Sequence, residues 1–387
     1  MKRLIFILLL GFKSVFAQES SFSFQGQIGL FNTAFNSKAI LNSSGFWDTS
    51  HKAYLLQQLE SENHLFFQAE NALKYTNKKG WNIALQHKQL AHSNYNKDLA
   101  QLALYGNATL TGEKLSLDPF NSSYYRYSEV TFGFRFHEHF QLNTSAILGH
   151  QFASIQSKSA DFYTAENGNY IDYDLSLEAH YTDTDFADIF QNRGLGAALG
   201  FYYEQEKEDV LIRFSASDIG FISWDDGCRN LYIDTTYHFE GIALDDLLDF
   251  NQEIIENEID ALEGQINSPV QESYTWKIPI LLRGYYEQKI HNKHFSAVSF
   301  GAEHRLGIYP TPLLYANLHH ERKKSHLSYG YHFGGIERAG IQLSYVVQCK
   351  QTEFRLYTRQ ANLFLPEEIY GLHIGIGIKK VFLQKGD

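Results

Sequence analysis

The sequence is poor in cysteine and in basic residues. Its 387 residues include two cysteines, and 33 lysines and arginines stand against 44 aspartates and glutamates, which gives a formal net charge of −11. Binding to nucleic acid requires a basic patch or stripe, so this balance excludes nucleic acid as a partner. Cys228 and Cys349 are too few for cysteine-based zinc binding or catalysis. Whether the two form a disulfide in an oxidising compartment is left open by the sequence.

Local signatures of catalysis and of metal binding are also missing. The chain has no Gly-x-Ser-x-Gly nucleophile motif and no Asp-x-Asp-x-Asp-Gly calcium loop. His137 and His139 have the i, i+2 spacing of a chelating pair on one strand face. They fall in a predicted tight turn, however, which favours a solvated turn over a metal site. We therefore predict no enzymatic activity, no metal and no cofactor.

Only one apolar run stands out, and it lies at the N-terminus. Lys2 and Arg3 precede the apolar residues 4–12, and residues 15–17 form a small-residue cleavage site before Gln18. An anchoring helix would need about 20 apolar residues, so residues 1–17 are predicted to be a cleaved signal peptide. Since no later run could form a transmembrane helix, any insertion into a membrane must use β-strands.

What the chain does contain is a recurring two-residue alternation. Residues 129–136 place Val130, Phe132, Phe134 and Phe136 on one face of a strand, and residues 372–379 repeat the design with leucine and isoleucine. Alternation over about ten residues suits a strand that faces lipid on one side and a polar lumen on the other. The 30 phenylalanines and 25 tyrosines fit the aromatic girdles of such a barrel.

The alternating segments predict an all-β protein, a transmembrane antiparallel β-barrel of about 14 strands (range about 12–16). The barrel is predicted over residues 63–387, with segments 170–182 and 230–240 among its strands. Residues 18–62, which contain one candidate strand near residues 24–31, are otherwise predicted to be a lead-in or a plug. A soluble sandwich is the alternative, but it would need a second sheet against each apolar face and explains the uneven loop lengths less well.

One segment, residues 242–267, breaks the alternation and is predicted to be a short acidic helical insertion. Its leucines and isoleucines recur at helical spacing, with acidic residues between them. The favoured interpretation is an amphipathic helix over one barrel mouth, and the functional one is a gate, a docking helix or a cation site. The acidic positions singled out are Asp245, Asp246, Asp249, Glu253 and Glu256.

Projecting the alternation onto the strands assigns many charged side chains to the barrel interior, because a Lys or Arg facing lipid at mid-membrane costs about 2–4 kcal/mol. Such side chains form a salt-bridged network in a mostly closed barrel, or they line a watery path that selects solutes by charge. The sequence leaves both interpretations open. The candidates are Glu129, Arg135, Lys277, Arg283, Glu287, Glu303, Arg305 and Lys379.

Several blocks resemble a family of Bacteroidota outer-membrane β-barrel proteins defined by a domain of unknown function. The central blocks are residues 193–201, 214–224 and 237–242, and residues 104–108 and 300–306 add to them. The resemblance covers about residues 65–382 and implies an architecture broadly similar to FadL-type channels. An Asn-Pro-Ala element is common near the start of that wider group. The comparable residues 36–39 lack the proline, so the resemblance does not extend to a FadL-like hatch.

Two classes of function follow. The first is passive passage of a small or amphiphilic molecule through a narrow, partly plugged lumen of an outer-membrane channel or transporter. The alternative is a non-conducting envelope scaffold or secretion-complex partner, with the acidic helix and the acidic surface as its contacts. The predicted partners are accordingly outer-membrane lipid and, for the scaffold, another envelope protein.

Overall fold

The computed structural model describes residues 19–36, 48–182, 193–225, 227–240, 268–290, 292, 294–361 and 369–382. The predicted signal peptide, residues 1–17, and the predicted acidic helix, residues 242–267, lie outside the described residues. Both therefore stay predictions.

The described strands form an antiparallel sheet that closes into a barrel of fourteen wall strands, which confirms the predicted fold class. β1 pairs with β2 on one side and with the last strand, β19, on the other. β12 and β13 together make one wall strand, interrupted at residues 278–280. The strands are β1 (Ser20–Asn32), β2 (Glu62–Thr76), β3 (Trp81–Asn96), β4 (Lys114–Ser116), β5 (Asn121–Arg135), β6 (Phe140–Thr164), β7 (Ile171–Thr182), β8 (Gly194–Lys207), β9 (Val210–Trp224), β10 (Cys228–Phe239), β11 (Val270–Gln271), β12 (Tyr274–Lys277), β13 (Leu281–Lys289), β14 (Ala297–Arg305), β15 (Leu313–Arg322), β16 (Ser325–Phe333), β17 (Ala339–Cys349), β18 (Thr352–Arg359) and β19 (Gly371–Phe382).

The barrel wall begins earlier than the boundary predicted at residue 63. β1 pairs with β19 from Ser20, opposite Phe382, to Phe31, opposite Gly371. A wall strand therefore lies within residues 18–62, where the sequence predicts a lead-in or a plug. This wall strand contains the candidate strand at residues 24–31, and its alternation is weakened because Gly26 occupies an outward position between Phe24 and Ile28.

Outward-facing side chains form an apolar belt around the wall. Ile28 lies opposite Ile374 and Leu30 opposite Leu372, and these four side chains are 40–54% exposed. Apolar surface left in water would be unfavourable by about 25 cal/mol per Å², whereas lipid solvates it without that penalty. A closed wall leaves no unpaired sheet edge within the hydrocarbon. The belt and the closure together make this a membrane-spanning barrel.

The two ends of the barrel differ in the length of their connections. Short turns, such as residues 77–80, 136–139 and 350–351, lie at the end where β1 starts and β19 finishes. Longer connections, such as residues 97–120, lie at the other end. We call these the short-turn end and the long-loop end; in bacterial barrels they face the periplasm and the cell exterior.

β6 is longer than its neighbour β8 and continues beyond the wall. Its first half, to Gly149, pairs with β8, and its second half, from Ala153, pairs with β7. β7 pairs in turn with β10, and β4 covers the opposite edge of β6. Segments 170–182 and 230–240 therefore lie in this extension sheet and not in the wall, where the sequence predicts them. Their alternation misleads because a two-faced sheet outside the membrane has the same period as a wall strand.

The described residues include two short α-helices at the long-loop end, α1 (Thr49–Gln58) and α2 (Lys97–Tyr105). Asp48 caps α1, since its Oδ1 accepts a hydrogen bond from the backbone N of His51 at 2.8 Å. This bond to the charged form holds the pKa of the Asp48 carboxyl below its usual value. Within the described part of the chain, no helix is both long and apolar enough to span a membrane.

The packing of Trp224 gives a physical role to two glycines on neighbouring strands. Trp224 is fully buried, and Gly149 of β6 lies directly opposite Gly194 of β8. A Cβ added to Gly149 would lie 2.7 Å from the indole ring, and one added to Gly194 would lie 2.9 Å from it. The indole is therefore in contact with both backbones, and any side chain at these positions would displace it.

Gly194→Ala is expected to lower the free energy of unfolding by about 1–3 kcal/mol, the usual cost of overpacking a well-packed interior. The matched control is Gly284→Ala, because a Cβ added to Gly284 meets nothing within 4 Å. Urea unfolding of the barrel in lipid vesicles, followed by tryptophan fluorescence, measures both. If Gly194→Ala and Gly284→Ala shift the urea midpoint of unfolding equally, the contact with Trp224 is not the reason for glycine at position 194.

Candidate functional site

A network of buried charges crosses the lumen. Lys88 Nζ lies 2.8 Å from Glu129 Oε1 and 2.8 Å from Asp218 Oδ1. Arg305 Nη1 lies 3.4 Å from Asp218 Oδ2, and Arg305 Nη2 lies 3.6 Å from Glu70 Oε1. The strands that carry Arg305 and Glu70, β14 and β2, are on opposite sides of the barrel in the strand order. Arg305 therefore spans the lumen.

A second set of ion pairs continues from β14. Arg283 Nε lies 2.8 Å from Glu303 Oε2, and Arg359 Nη2 lies 3.7 Å from Glu303 Oε1. The Tyr309 hydroxyl donates to Glu303 Oε1 at 3.2 Å. Arg359 Nη1 also lies 2.7 Å from Glu337 Oε1 in the loop between β16 and β17. We call the whole set the lumen network: Glu70, Glu129, Asp218, Glu303, Glu337, Lys88, Arg283, Arg305 and Arg359.

Burial makes this network sensitive to the loss of any member. Arg305 is 2% exposed and Asp218 is 7% exposed. Moving an ion out of water costs several kcal/mol, and a close counter-charge offsets this cost only while it is present. Asp218 also has a backbone φ of 64°, in a strand whose register with β8 shifts near this residue. Left-handed backbone is unusual for a residue other than glycine and is tolerated best by Asn and Asp.

Glu337 is the member of the network that lies in a connecting loop. It is 2% exposed, and burial raises the pKa of its carboxyl to about 7. Arg359 opposes this rise but is shared with Glu303, whose own negative charge raises the pKa of Glu337 further. His332 Nε2 lies 3.3 Å from Glu337 Oε2 on the other side. The loop is therefore attached to the wall by an ion pair whose charge depends on pH near neutrality.

An apolar layer closes the lumen on the long-loop side of the network. The rings of Tyr125 and Trp276 stack with centroids 3.5 Å apart, and Phe66 packs edge-on against Tyr309 at 5.8 Å. Tyr309 comes from the loop between β14 and β15, which folds into the barrel together with the loop that carries the buried Ile336.

A polar cavity of about 530 Å³ lies on the other side of the network and extends toward the short-turn end. Its wall is rich in amides, phenols and guanidinium groups, and Arg283, Glu303 and Arg359 of the lumen network form its inner limit. Its other polar lining residues include Gln25, Gln27, Gln86, Tyr315, Asn317, Gln342, Arg355 and Tyr357. The lumen is thus a vestibule that ends at paired charges, with an aromatic layer behind them.

The structure brings together only some of the charges that the sequence assigns to the lumen. Glu129, Arg283, Glu303 and Arg305 all belong to the lumen network. Three more, Arg135, Glu287 and Lys379, lie apart from it in the segments near the short turns. The acidic positions Asp245, Asp246, Asp249, Glu253 and Glu256 lie outside the described residues.

Lys277 does not face the lumen. It is exposed and lies opposite Phe221, which is 47% exposed on the outer face, whereas its neighbour Trp276 is buried. The alternation changes phase across residues 278–280, where Pro279 has no N–H to donate and β12 ends before β13 begins. The sequence prediction carries the alternation across this break without interruption and therefore places Trp276 outside and Lys277 inside. The structure has Trp276 inside and Lys277 outside, so the prediction is wrong for both residues.

The network also contains residues that sequence reasoning missed. Lys88 shares a face with Gln86 and Ala84 in β3, so the alternation could have found it. Asp218 falls in a segment, 218–229, that reads as a loop because glycine and aspartate interrupt the apolar pattern, although β9 runs on to Trp224. Arg359 and Glu337 lie at the end of a strand and in a loop, where alternation gives no signal.

No disulfide joins Cys228, which is buried, to Cys349, which is exposed. Among the described residues, no group of three or more His, Cys, Asp and Glu side chains is arranged to hold a metal ion. His137 and His139 lie at the short turn after β5, with ring centroids 5.6 Å apart.

Several solved barrel structures are similar to this chain. The toluene transporter TbuX of Ralstonia pickettii is 10% identical, with 95% of this chain and 90% of that chain covered and a TM-score of 0.42. The toluene transporter TodX of P. putida is 7% identical (95% and 91% covered, TM-score 0.42), and a FadL homologue of Pseudomonas aeruginosa is 8% identical (95% and 91%, TM-score 0.40). Likeness at this level carries no information about cargo.

No curated protein matches the sequence. A family model does, and it bears out the family resemblance seen in the central sequence blocks. The model of the family of unknown function DUF5723 matches residues 8–348, which is most of the chain and includes the wall strands from β1 to β16. The chain belongs to the family of unknown function DUF5723.

Proposed function

We propose that this protein is an outer-membrane channel or transporter for a small or amphiphilic molecule, closed in the present conformation by the lumen network. The observation that carries the proposal is the nature of the barrier. A vestibule of about 530 Å³ ends at side chains of the wall and of two short loops. Side chains and short loops rearrange far more readily than a folded plug domain does.

The barrier has few attachments across the lumen. Arg305 is the bridge between β14 and β2, and Arg359 holds the loop residue Glu337 to the wall. Displacing these two guanidinium groups, and with them the two loops that carry Tyr309 and Ile336 of the apolar layer, would join the vestibule to the space beyond that layer. Export by the signal peptide at residues 1–17 and insertion into outer-membrane lipid complete the proposal.

Arg305→Gln is expected to convert a mostly silent barrel into a conducting one, with mean conductance in a planar bilayer raised roughly tenfold or more. Asp218 and Glu70 would lose their shared cation, so the open lumen should prefer cations. Arg355→Gln is the matched control, since Arg355 lines the vestibule and pairs with Glu353 on its own strand at 3.2 Å. The control should conduct like the wild type.

The alternative function is a non-conducting envelope scaffold, and the closed lumen favours it. A scaffold predicts that Arg305→Gln, shown to be folded by its resistance to proteolysis in vesicles, stays as silent as the wild type. It also predicts that removing residues 243–266 abolishes the recovery of a co-purifying envelope protein without any change in permeability. These two results together would overturn the channel proposal.

A further inference from the structure

Two tyrosine rings lie flat on the inner wall of the vestibule. Tyr315 of β15 is directly opposite Gly301 of β14, and Tyr357 of β18 is directly opposite Gly375 of β19. A Cβ added to Gly301 would lie 2.1 Å from the Tyr315 ring, and one added to Gly375 would lie 2.0 Å from the Tyr357 ring. Each ring therefore covers a glycine, with one face against the wall. Since both tyrosines line the cavity, the opposite faces border it.

The Tyr357 ring is held in this position by its hydroxyl group. The hydroxyl donates to Gln27 Oε1 at 2.6 Å and accepts from Gln25 Nε2 at 3.2 Å. Gln27 Nε2 donates in turn to Glu70 Oε2 of the lumen network at 2.7 Å. Gly375 beneath the ring and the hydrogen bonds from its hydroxyl to Gln25 and Gln27 hold the ring in one orientation. The exposed ring face is therefore preorganised for a ligand.

Side-chain amides surround the two rings. Gln342 Nε2 donates to Asn317 Oδ1 at 2.5 Å, and Gln86 Nε2 donates to Thr131 Oγ1 at 3.3 Å on the far wall. An amide carries two N–H donors and an oxygen with two lone pairs, so one such contact does not exhaust it. Side-chain amides both donate and accept hydrogen bonds, and so do hydroxyl groups. The amides are therefore suited to binding a ligand that carries several hydroxyl groups.

The charged groups of the cavity wall are already engaged with one another. Arg283 and Arg359 pair with Glu303, and Arg355 pairs with Glu353. An ionic ligand would have to compete with these pairs for its counter-charge. An apolar ligand would leave the amides without partners, which is costly for buried polar groups. The wall therefore suits a ligand that is polar and uncharged.

We propose that the vestibule binds a small neutral polyhydroxylated molecule, of the mono- or disaccharide class, stacked on Tyr357 and hydrogen-bonded by the surrounding amides, with Tyr315 as a second stacking surface three strands away along the wall. The C–H bonds on one face of a sugar ring are weakly positive and suit the negative face of an aromatic ring. The cavity volume lies within the range of about 300–1,000 Å³ of small-molecule sites. This inference rests on the proposed function for its purpose, but binding itself requires no open lumen.

The test is the binding of glucose, sucrose and maltose to the whole protein, measured by saturation-transfer NMR. The protein is held in lauryldimethylamine oxide micelles, which contain no sugar. At least one of the three sugars is expected to bind saturably, with a dissociation constant on the order of 1 mM. Succinate, an anion of similar size, should not. No saturable binding of any of the three sugars would overturn the proposal.

Four variants locate the site. Tyr357→Ala and Gly375→Ala should each weaken sugar binding roughly tenfold, the first by removing the ring and the second by lifting it off the wall. Tyr357→Phe keeps the ring and should cost about fivefold or less. Tyr345→Ala, on the outer face of β17, should bind like the wild type. Sugar binding left unchanged by Gly375→Ala would contradict the proposed stacking, because that variant retains both tyrosines.

The outcome is separable from that of the channel experiment. If the barrel binds sugars but Arg305→Gln does not conduct, the sugar site is supported and the channel proposal is overturned. If Arg305→Gln conducts but none of the three sugars binds, the channel proposal is supported and the proposed ligand class is overturned.

Discussion

Asp218→Ala is expected to lower the free energy of unfolding by about 3–5 kcal/mol, the usual cost of removing one partner from a buried ion pair. Lys88 and Arg305 would both lose the carboxylate that lies 2.8 and 3.4 Å from them. Alanine also tolerates the backbone φ of 64° at this position less well than aspartate, whose short polar side chain can hydrogen-bond locally, so part of the loss is backbone strain. Urea unfolding in lipid vesicles measures the total.

Further variants separate the two contributions. Asp218→Asn loses the charge but keeps an oxygen acceptor and a residue that tolerates this backbone conformation, so it should be less destabilised than Asp218→Ala. Asp218→Gly also loses the carboxylate but adopts a φ of 64° without strain, so the difference between Asp218→Ala and Asp218→Gly measures the backbone contribution. If Asp218→Gly is as stable as the wild type, the buried charges do not depend on Asp218.

Glu337 is expected to make the stability of the barrel depend on pH. Its folded pKa, about 7, lies above the ordinary value of 4.5. The stabilisation linked to its proton is therefore fully present below about pH 4.5 and is lost as the pH rises through about 7. This difference in pKa corresponds to a change of about 3 kcal/mol in the free energy of unfolding. Unfolding in urea at pH 5 and at pH 8 should show the wild type weaker at pH 8.

Glu337→Gln removes the titrating group. The difference in the free energy of unfolding between pH 5 and pH 8 should therefore be much smaller in this variant than in the wild type. The groups that face Glu337 are Arg359 and His332 on the wall and Glu303 beyond Arg359. Glu353→Gln, on the same strand as Arg359 but more exposed, is the control and should keep the wild-type pH dependence. A Glu337→Gln profile that still parallels the wild type would assign the pH dependence to another group.

The amino-acid sequence by itself determined the fold class. Lipid on the outside demands an apolar side chain at every second position, as in Ile374, Ile376 and Ile378, and this demand acts within each strand separately. It is therefore readable without knowing which strands are neighbours. The same local rule placed Glu129, Arg283, Glu303 and Arg305 on the inner face, where the structure has them.

Only the tertiary structure decided which alternating segments form the wall and which charges meet. β7 and β10 alternate as wall strands do, but they lie outside the barrel wall. The reason is that β6 is longer than β8, and the part of β6 beyond β8 pairs with β7 instead. Lys88 and Asp218, separated by 130 residues, are brought to 2.8 Å by barrel closure. The reason is physical: the face of a strand is set by its own period of two, whereas a contact across a lumen depends on strand order, register and bulges, which involve the whole chain.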